Sequence, residues 1–574
     1  MNRKTLVHAL LLLGFMSLTL AGTCINIDNV PICLSGNKCT IDAPVVSGDT
    51  VKMILHLREE LGDFDFLADT PDTFYRCTDQ DLDIYYWENP APGVPPRCGG
   101  PSSDDTIFVG KTALLKDLND FLFDRSPGQR AGPITDILPA DTCKCDEAIF
   151  LMRAVVDPNV NINNGIAKGT SKTRGNNTGA ILEAGFNYAI SLQPIIENKL
   201  DTLRPENFPG NCAYPFKGSL SGLQNEMISS EGCRPVTVSP FVSAPGRTVK
   251  VAIVDTGADP NYSYTDTGMG GAVLNKAFSV STEMNASAIR MAGYVAYGEA
   301  WPGDTVDENG NCFIDDYFGY DFLHDDNSPA DKNGHGTHMA YTVLTADNEV
   351  DHDIRVLPLQ FGGYDEDGGF GCDLFSGICA ISYARAEKAD IINLSWGFYS
   401  DIFPDVLYEQ IRRATTEDIL IVTSAGNDSI MVDSDACAHW PSGFSRVAKV
   451  DQAVISVAAL GVFDPVGPFE LASYSNYGQK IDLAAPGTDI NGALAGSGSG
   501  MIRLDGTSMA AAVVSRRAAM LRRNNRSRDS VPAAQLKLTI LQETIQMESG
   551  CIEGRRALDI SKDQSLMEAI GYQP

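Results

Sequence analysis

Four residues stand in sequence contexts that suit acyl-transfer chemistry: Asp255, His335, Asn427 and Ser508. Asp255 ends an apolar run before a Thr-Gly turn, and His335 lies in the order Gly-His-Gly-Thr-His ahead of a helix-like run. Asn427 closes another apolar run as Ala-Gly-Asn, and Ser508 begins a run of small residues as Gly-Thr-Ser-Met-Ala. A serine nucleophile, a histidine base, an aspartate that orients it and an amide that stabilises an oxyanion are the groups this chemistry needs. Each motif alone is also typical of an ordinary turn or helix start.

The positions of these residues within their elements favour a site as well. Asp255 lies where an apolar strand ends, and open α/β sheets place their sites at the carboxyl ends of strands. Ser508 lies at a helix start, where free backbone N–H groups and the helix dipole favour negative charge. His335 and His338 are alternatively metal ligands, but zinc-binding histidines on a helix are four apart with a glutamate between, whereas these are three apart. The spacing therefore favours catalysis.

Taken together and in this order, the four motifs resemble the signatures of the subtilisin family of serine peptidases, over about residues 246–561. The resemblance implies a catalytic triad of Asp255, His335 and Ser508. It also implies that the side chain of Asn427 and the backbone N–H of Ser508 form the oxyanion hole. The reaction that follows is hydrolysis of peptide bonds through an acyl-enzyme intermediate.

The resemblance extends to the segment Ser395, Trp396 and Gly397, which is similar to the strand that pairs with the substrate backbone in this family. It leaves His338 a structural role. It also implies that catalysis needs no cofactor, and that the partners are protein or peptide substrates.

From residue 249 onward, apolar runs of strand length alternate with helix-like segments. The predicted strands are 249–254, 354–359, 391–394, 419–423 and 454–460, and the predicted helices are 376–388, 405–416 and 510–523. This alternation predicts a doubly wound α/β fold with a mostly parallel sheet and helices on both faces. The same fold is implied by the resemblance to subtilisins, here behind a cysteine-rich N-terminal region.

Composition and charge exclude several classes of protein. The chain has 574 residues, of which 43% are hydrophobic and 21% are charged, so neither wholesale disorder nor a multi-span membrane protein fits. Its 44 basic and 74 acidic residues give a net charge of −30, which disfavours nucleic acid as a partner. We expect a soluble, folded and monomeric protein of two or three domains.

The N-terminus has the basic, apolar and small-residue order of a signal peptide, predicted to cover residues 1–22. The apolar run is short for a permanent anchor and has no basic flank after it, so we expect cleavage and export. Residues 20–24 also resemble a bacterial lipoprotein box, but Thr23 separates the glycine from the cysteine. Secretion is therefore favoured over lipid anchoring.

The region ahead of the peptidase-like part is divided into a cysteine-rich module at 23–145 and a propeptide-like or accessory segment at 146–245. The chain carries 14 cysteines, which in an exported protein predict disulfides of unspecified pairing. The Cys143-Lys144-Cys145 segment is alternatively a metal site, but one histidine alone, His56, lies between the signal and residue 300. Whether residues 23–245 are removed or stay attached is left open. Residues 562–574 form a C-terminal tail.

An acidic loop inserted between the Asp255 and His335 motifs resembles a calcium-binding segment. Oxygen-bearing side chains alternate there with other residues and a glycine stands beside them, as in calcium loops. The candidate ligands are Asp307, Asn309, Asn311, Asp315 and Asp316. The alternative is a solvated acidic turn tied by Cys312.

Two functions of different classes remain after these observations. The first is an active serine endopeptidase, because every chemical group required is present in the family order. The second is a catalytically silent subtilisin-fold binding module, which loss of a triad residue would have favoured. An α/β-hydrolase esterase is excluded because it needs the chain order Ser, Asp, His, whereas here the order is Asp, His, Ser.

Overall fold

The computed structural model of the chain describes, with gaps, residues 24–57, 75–86, 114–119, 134–156, 181–192, 249–259, 313–344, 354–364, 370–461, 469–495, 501–524, 531–547, 552–561 and 567. The signal peptide, most of the cysteine-rich module and most of the acidic loop lie outside these residues. Contact clustering divides the chain into two compact units. One contains residues 42–189 and 401–409, and the other contains residues 1–41, 190–400 and 410–574.

The described strands and helices follow in chain order. The strands are β1 (Cys24–Ile27), β2 (Val30–Cys33), β3 (Val46–Ser47), β4 (Thr50–Leu57), β5 (Tyr75–Asp79), β6 (Leu82–Tyr86), β7 (Ile134–Thr142), β8 (Ile149–Val156), β9 (Ile181–Phe186), β10 (Val249–Asp255), β11 (Tyr320–Asp321), β12 (Ile354–Gln360), β13 (Gly362–Tyr364), β14 (Phe370–Cys372), β15 (Ile391–Leu394), β16 (Phe398–Tyr399), β17 (Leu420–Ser424), β18 (His439–Trp440), β19 (Val454–Leu460), β20 (Leu483–Pro486), β21 (Ile490–Ala493), β22 (Met501–Leu504), β23 (Thr544–Gln546) and β24 (Arg556–Leu558). The α-helices are α1 (His335–Leu344), α2 (Leu374–Ala386), α3 (Asp405–Thr416), α4 (Thr507–Asn524) and α5 (Ala533–Gln542).

The smaller unit is built on an antiparallel sheet. Strand β4 pairs with β8 on one side and with β3 and β9 on the other, and β8 also pairs with β7. Strand β4 is almost wholly buried and carries His56, whose ring pairs with the carboxylate of Glu183 on β9. Strands from both sides of position 145 therefore share one sheet, while the domain boundaries given above remain predictions.

The larger unit is organised around a nine-stranded sheet in the order β11-β12-β10-β15-β17-β19-β20-β24-β23. Neighbouring strands are parallel except β23 and β24, which are antiparallel. Every residue of β10, β12 and β19 is buried. Because side chains alternate between the two faces of a strand, this burial shows that both faces of the sheet are covered.

The order of the strands reverses at β10. From β10 the chain first adds β11 and β12 on one side and then β15, β17, β19 and β20 on the other. A crevice forms at the carboxyl edge where two neighbouring strands lead away in opposite directions, and here it lies between β10 and β15. The doubly wound, mostly parallel sheet predicted from the sequence is confirmed.

Helix α4 packs across the centre of this sheet, against β10, β15, β17 and β19. Its first turns are made of small residues, and Met509 to Val514 are completely buried. Small side chains allow the helix axis to lie close to the strands, so the first turn of α4 is held firmly at the sheet edge. Within the described residues, no helix has both the length and the apolar character required to cross a membrane.

Candidate active site

Asp255 is the last residue of β10 and is fully buried. Its Oδ1 accepts a hydrogen bond from the backbone N–H of Thr256 at 2.8 Å. The turn that follows requires Gly257, whose φ is +94° and where a Cβ would lie 2.3 Å from the carbonyl oxygen of Pro329. The carboxylate is thus fixed at the sheet edge by its strand and by a turn that no other residue type can make.

His335 is the first residue of α1 and is also fully buried. Its Nδ1 donates to Asp255 Oδ1 at 2.7 Å, across 80 residues of sequence. Because Nδ1 carries the proton in this bond, Nε2 is left as a base. Within the part of the chain that the structure describes, His335 Nε2 has no hydrogen-bond partner. The predicted Asp255–His335 pair is therefore present in the geometry that general-base chemistry needs.

Asp331 ties the Asp255 turn to the start of α1. Its Oδ1 accepts from the Thr256 hydroxyl at 3.0 Å and from the backbone N–H of Asn333 and Gly334 at 2.9 and 2.7 Å. Its Oδ2 accepts from the backbone N–H and the hydroxyl of Thr337 at 2.8 and 2.7 Å. Burial raises the pKa of Asp331 to about 6, and these hydrogen bonds oppose that shift. The sequence analysis missed this residue, because Asp331 lies too far ahead of α1 to have the spacing of an N-cap residue.

Ser508 is the second residue of α4 and is 6% exposed. Its Oγ donates to the backbone oxygen of Ser395 at 3.0 Å, and Ser395 Oγ donates to the backbone oxygen of Ser508 at 3.1 Å. The backbone N–H of Ser508 is among the first N–H groups of the helix, which lack intrahelical acceptors. The nucleophile candidate thus lies between Ser395 and the positive end of α4.

Asn427 lies beyond the end of β17, beside the same helix start. Its Oδ1 accepts from both the backbone N–H and the hydroxyl of Thr507, each at 2.9 Å. Since the oxygen of the amide is used in this way, Nδ2 is directed away from Thr507 and remains a donor. A Cβ on Gly506 would lie 3.4 Å from Asn427 Nδ2 and 3.7 Å from the backbone nitrogen of Ser508, so these two donors lie beside the same residue.

The predicted substrate strand also reaches this edge. Ser395 follows β15, and Trp396 is buried with its ring 5.1 Å from that of Phe361. Gly397 comes directly before β16. Since the Trp396 side chain is buried and Gly397 has none, this segment would pair with a peptide through main-chain hydrogen bonds.

Comparison with known proteins decides the family. Residues 246–572 match the family model described as the Subtilase family. The chain belongs to the subtilase family.

Named relatives of this subtilase are serine proteases. It is 31% identical over 214 residues to the thermophilic serine proteinase of Bacillus sp. (strain AK1), covering 36% of this chain and 47% of the relative. It is 32% identical over 198 residues to the major intracellular serine protease of Bacillus subtilis (strain 168), covering 34% and 56%. The chain thus spans about half the length of these curated relatives. Among solved structures, it is similar to a cold adapted subtilisin-like serine proteinase, with 20% identity, 56% of this chain and 90% of that chain covered, and a TM-score of 0.36.

His338 of this subtilase lies one turn along α1 and is buried against the hairpin of β21 and β22. Its Nε2 bonds to the backbone oxygen of Ile490 at 3.0 Å, and a Cβ on Gly492 would lie 2.4 Å from the ring. Burial lowers the pKa of His338 to about 4, so the ring is neutral at pH 7. These contacts give it a packing role.

The acidic loop is represented by Phe313 and Asp316 in the structure, while Asp307, Asn309, Asn311 and Asp315 lie outside the described residues. Asp316 is buried, and its carboxylate accepts a hydrogen bond from the hydroxyl of Tyr383. Within the described residues, no group of three or more candidate ligands is close enough to hold a metal ion. The calcium site therefore stays a prediction.

The sequence predicts disulfides among the 14 cysteines without specifying their pairing. Cys143, Cys379 and Cys437 take part in disulfide bonds, whereas Cys372 is a buried free thiol. Burial raises the pKa of Cys372 well above its ordinary value, which keeps it a protonated thiol. Three of the seven cysteines of the N-terminal module, Cys39, Cys98 and Cys145, lie outside the described residues.

Proposed function

We propose that this subtilase is a secreted serine endopeptidase that uses Asp255, His335 and Ser508 as its catalytic triad. The observation that carries the proposal is the buried 2.7 Å bond between Asp255 and His335 at the edge to which α4 brings Ser508. Asp255 fixes the tautomer of His335 and stabilises the imidazolium that forms when His335 takes a proton. The names of the relatives support the same reaction class.

The proposed reaction proceeds through an acyl-enzyme. Ser508 Oγ leaves the oxygen of Ser395, gives its proton to His335 Nε2 and forms a bond to the scissile carbonyl carbon. The carbonyl oxygen becomes an oxyanion, which the side-chain amide of Asn427 and the backbone N–H of Ser508 stabilise. The C–N bond then breaks as His335 returns its proton to the leaving amine. Water, activated by the same histidine, releases the acyl group by the reverse sequence.

A labelling experiment tests the triad. A fluorophosphonate should modify Ser508 in the wild-type chain, and Ser508→Ala should abolish the labelling while leaving the melting temperature within about 2 °C. Hydrolysis of a denatured protein should fall by several orders of magnitude in the variant. An active wild type whose Ser508→Ala variant keeps a tenth of the activity would show that another residue is the nucleophile.

Calcium is a second part of the proposal and rests on the residue pattern of the acidic loop. A bound ion that prefers the folded chain raises the free energy of unfolding, so a chelator should lower the melting temperature. Asp307→Ala should remove the response to chelator. If the melting curve in chelator is unchanged in both proteins, the loop is an acidic turn.

Export is proposed from the signal-like residues 1–22. Expression with this segment in a secreting host should place the chain outside the cell, with a new N-terminus near residues 21–23. Retention of Met1 on the exported protein would contradict cleavage.

A further inference from the structure

The backbone around Ser508 defines where the substrate side chain next to the cleaved bond must lie. In the proposed reaction, the scissile carbonyl faces Ser508 Oγ and its oxygen points to the amide of Asn427. The Cα that bears the preceding side chain is about 1.5 Å from the carbonyl carbon. Because Ser395 contacts Ser508 and Gly426 adjoins Asn427, we place that side chain between Ser395–Gly397 on one side and Gly426 on the other.

Gly397 and Gly426 form the two walls of this space. Gly426 precedes Asn427, has a φ of +98° and donates its N–H to the Thr507 hydroxyl at 3.1 Å. Gly397 lies two residues after Ser395, which contacts Ser508. Because neither glycine has a side chain, a narrow space, here called the slot, is left between them. A side chain from another part of the chain that reaches into the slot determines how much of it a substrate can use.

The ring of His439 occupies that slot. A Cβ on Gly397 would lie 2.2 Å from Cε1 and 2.3 Å from Nε2 of His439, and a Cβ on Gly426 would lie 3.1 Å from the same Nε2. The imidazole is thus in direct contact with the first wall and near van der Waals contact with the second. His439 is 4% exposed, which shows that little open space remains around it.

His439 is held in this place by its strand and by Ser442. Strand β18 pairs with β16, so that His439 is directly opposite Tyr399. The Ser442 hydroxyl donates to the backbone oxygen of His439 at 3.1 Å, and its oxygen therefore accepts from His439 Nδ1 at 2.8 Å. Because Nδ1 carries the proton, Nε2 presents a lone pair to the slot.

The ring of Tyr399 packs against the ring of His439. The rings of Tyr399 and His439 meet edge to face with their centroids 5.0 Å apart. The Tyr399 hydroxyl donates to Asp428 at 2.6 Å and accepts from Asn476 Nδ2 at 2.6 Å. Asn476 is itself fully buried and donates to the backbone oxygen of Ala425 at 2.7 Å. Rotation of the imidazole out of the slot would have to disturb this network.

We propose that His439, backed by Tyr399, fills the space for the side chain that precedes the cleaved bond, so that the enzyme selects substrates with glycine, alanine or serine at that position. This inference rests on the function proposed above. An aromatic or long aliphatic side chain would have to displace a packed ring, whereas a single methyl or hydroxyl group requires the least displacement. The serine hydroxyl has an acceptor, His439 Nε2, in front of it.

Paired peptides that differ only in alanine or phenylalanine before the cleaved bond test the proposal. The wild-type chain should have a kcat/KM for the alanine peptide that is about tenfold or more above that for the phenylalanine peptide. His439→Gly empties the slot and should lower this ratio by about tenfold or more. His439→Gln, which keeps a side chain in the slot, should stay within about threefold of the wild-type ratio. His324→Gly, which removes a partly exposed histidine paired with Asp321, is the matched control and should leave the ratio unchanged.

Sequencing the products of a digested, denatured protein gives a second readout that needs no variant. Small residues should dominate the position before the cleaved bonds. If the wild type is active and cleaves equally well after phenylalanine, the inference is wrong while the proposed function stands. A His439→Gly variant that melts normally, reacts with fluorophosphonate and keeps the wild-type ratio also overturns it. If the wild type hydrolyses neither peptide nor protein, the proposed function fails, and the inference falls with it.

Discussion

Gly336 packs so closely against Gly257 that a Cβ on Gly336 would lie 2.1 Å from the Gly257 carbonyl oxygen. Gly257 follows the Asp255 turn and Gly336 follows His335, so this contact sets the distance between the two catalytic candidates. The N–H of Gly336 donates to the Thr256 hydroxyl at 2.8 Å and locks the same junction. The short Asp255–His335 bond therefore depends on the absence of a side chain at position 336.

Gly336→Ala should separate α1 from the turn and lengthen the Asp255–His335 bond. Forcing a methyl group into a packed contact destabilises a protein by about 1–3 kcal/mol. We expect kcat to fall by about 100-fold, because small displacements of catalytic groups have effects of that order. Gly461→Ala is the matched control, since a Cβ there would meet its nearest neighbour at 3.8 Å. Steady-state kinetics and a melting curve check both variants, and a Gly336→Ala enzyme with unchanged kcat would contradict the argument.

A substitution of Asp331 is a second test of the contact between the Asp255 turn and the start of α1. Asp331→Asn places an NH₂ group where the carboxylate accepts from two or three donors, so those donors lose their acceptor while remaining buried. We expect the free energy of unfolding to fall by about 2 kcal/mol or more. Urea denaturation in a Ser508→Ala background, which prevents self-digestion, measures the change. Asp435→Asn, at an exposed ion pair with Lys480, should change the free energy by less than about 1 kcal/mol. If both substitutions lower the free energy of unfolding equally, the buried Asp331 network stabilises the fold no more than an exposed ion pair does.

The sequence singled out the candidate residues of the site but not the residues that hold them in place. Asp255 ends β10, Asn427 follows β17 and Ser508 lies in the first turn of α4, and the apolar runs of these strands are visible in the sequence. The role of Asp331 was not predicted, because its hydrogen bond with Thr256 joins residues 75 positions apart and leaves no local sequence pattern. The position of His439 was not predicted for the same reason, since it lies beside Gly397 only because β16 pairs with β18.

The N-terminal region shows the limit of local patterns more clearly. From the sequence alone, the apolar runs at 148–162 and 180–196 are consistent with either strands or a helix, because short apolar runs are ambiguous by periodicity alone. In the structure they contain β8 and β9, both of which pair with β4. Their conformation depends on a partner strand about 100 residues away for β8 and about 130 for β9, which a single sequence does not reveal.

His338 predicts how stability depends on pH. Its folded-state pKa is lowered to about 4 from an ordinary value of 6.5. The stability it contributes is therefore fully present above pH 6.5 and is lost as the pH falls toward 4. At 1.36 kcal/mol per pKa unit, the loss is about 3 kcal/mol.

The test compares unfolding free energies between pH 8 and pH 4 in the Ser508→Ala background. His338→Gln should make the pH dependence shallower by about 3 kcal/mol. His324→Gln should act in the opposite direction, because Asp321 raises the pKa of His324. Stability contributed by that pair is present below pH 6.5 and is lost as the pH rises through the raised pKa. Parallel pH profiles for wild type and His338→Gln would mean that His338 is not buried in its neutral form.

Asn427→Ala separates transition-state stabilisation from substrate binding. The Oδ1 of Asn427 is engaged by Thr507, so its Nδ2 is directed to the side on which Ser508 would attack. Removal of one oxyanion donor from a subtilisin lowers kcat by about 10²–10³. We expect a loss of this size here with KM nearly unchanged, because the oxyanion forms only in the transition state.

Thr507→Val is the informative companion to this variant. It removes the hydroxyl that donates to Asn427 Oδ1 at 2.9 Å but keeps the backbone N–H bond to the same oxygen. The amide should then be held less firmly, and kcat should fall by about tenfold, less than in Asn427→Ala. Combining the two substitutions should add little to the loss from Asn427→Ala alone, since both act on one donor. A loss in Asn427→Ala that lies wholly in KM would assign Asn427 to substrate binding instead of the oxyanion hole. Losses that multiply in the double variant would show that Thr507 does not act through Asn427.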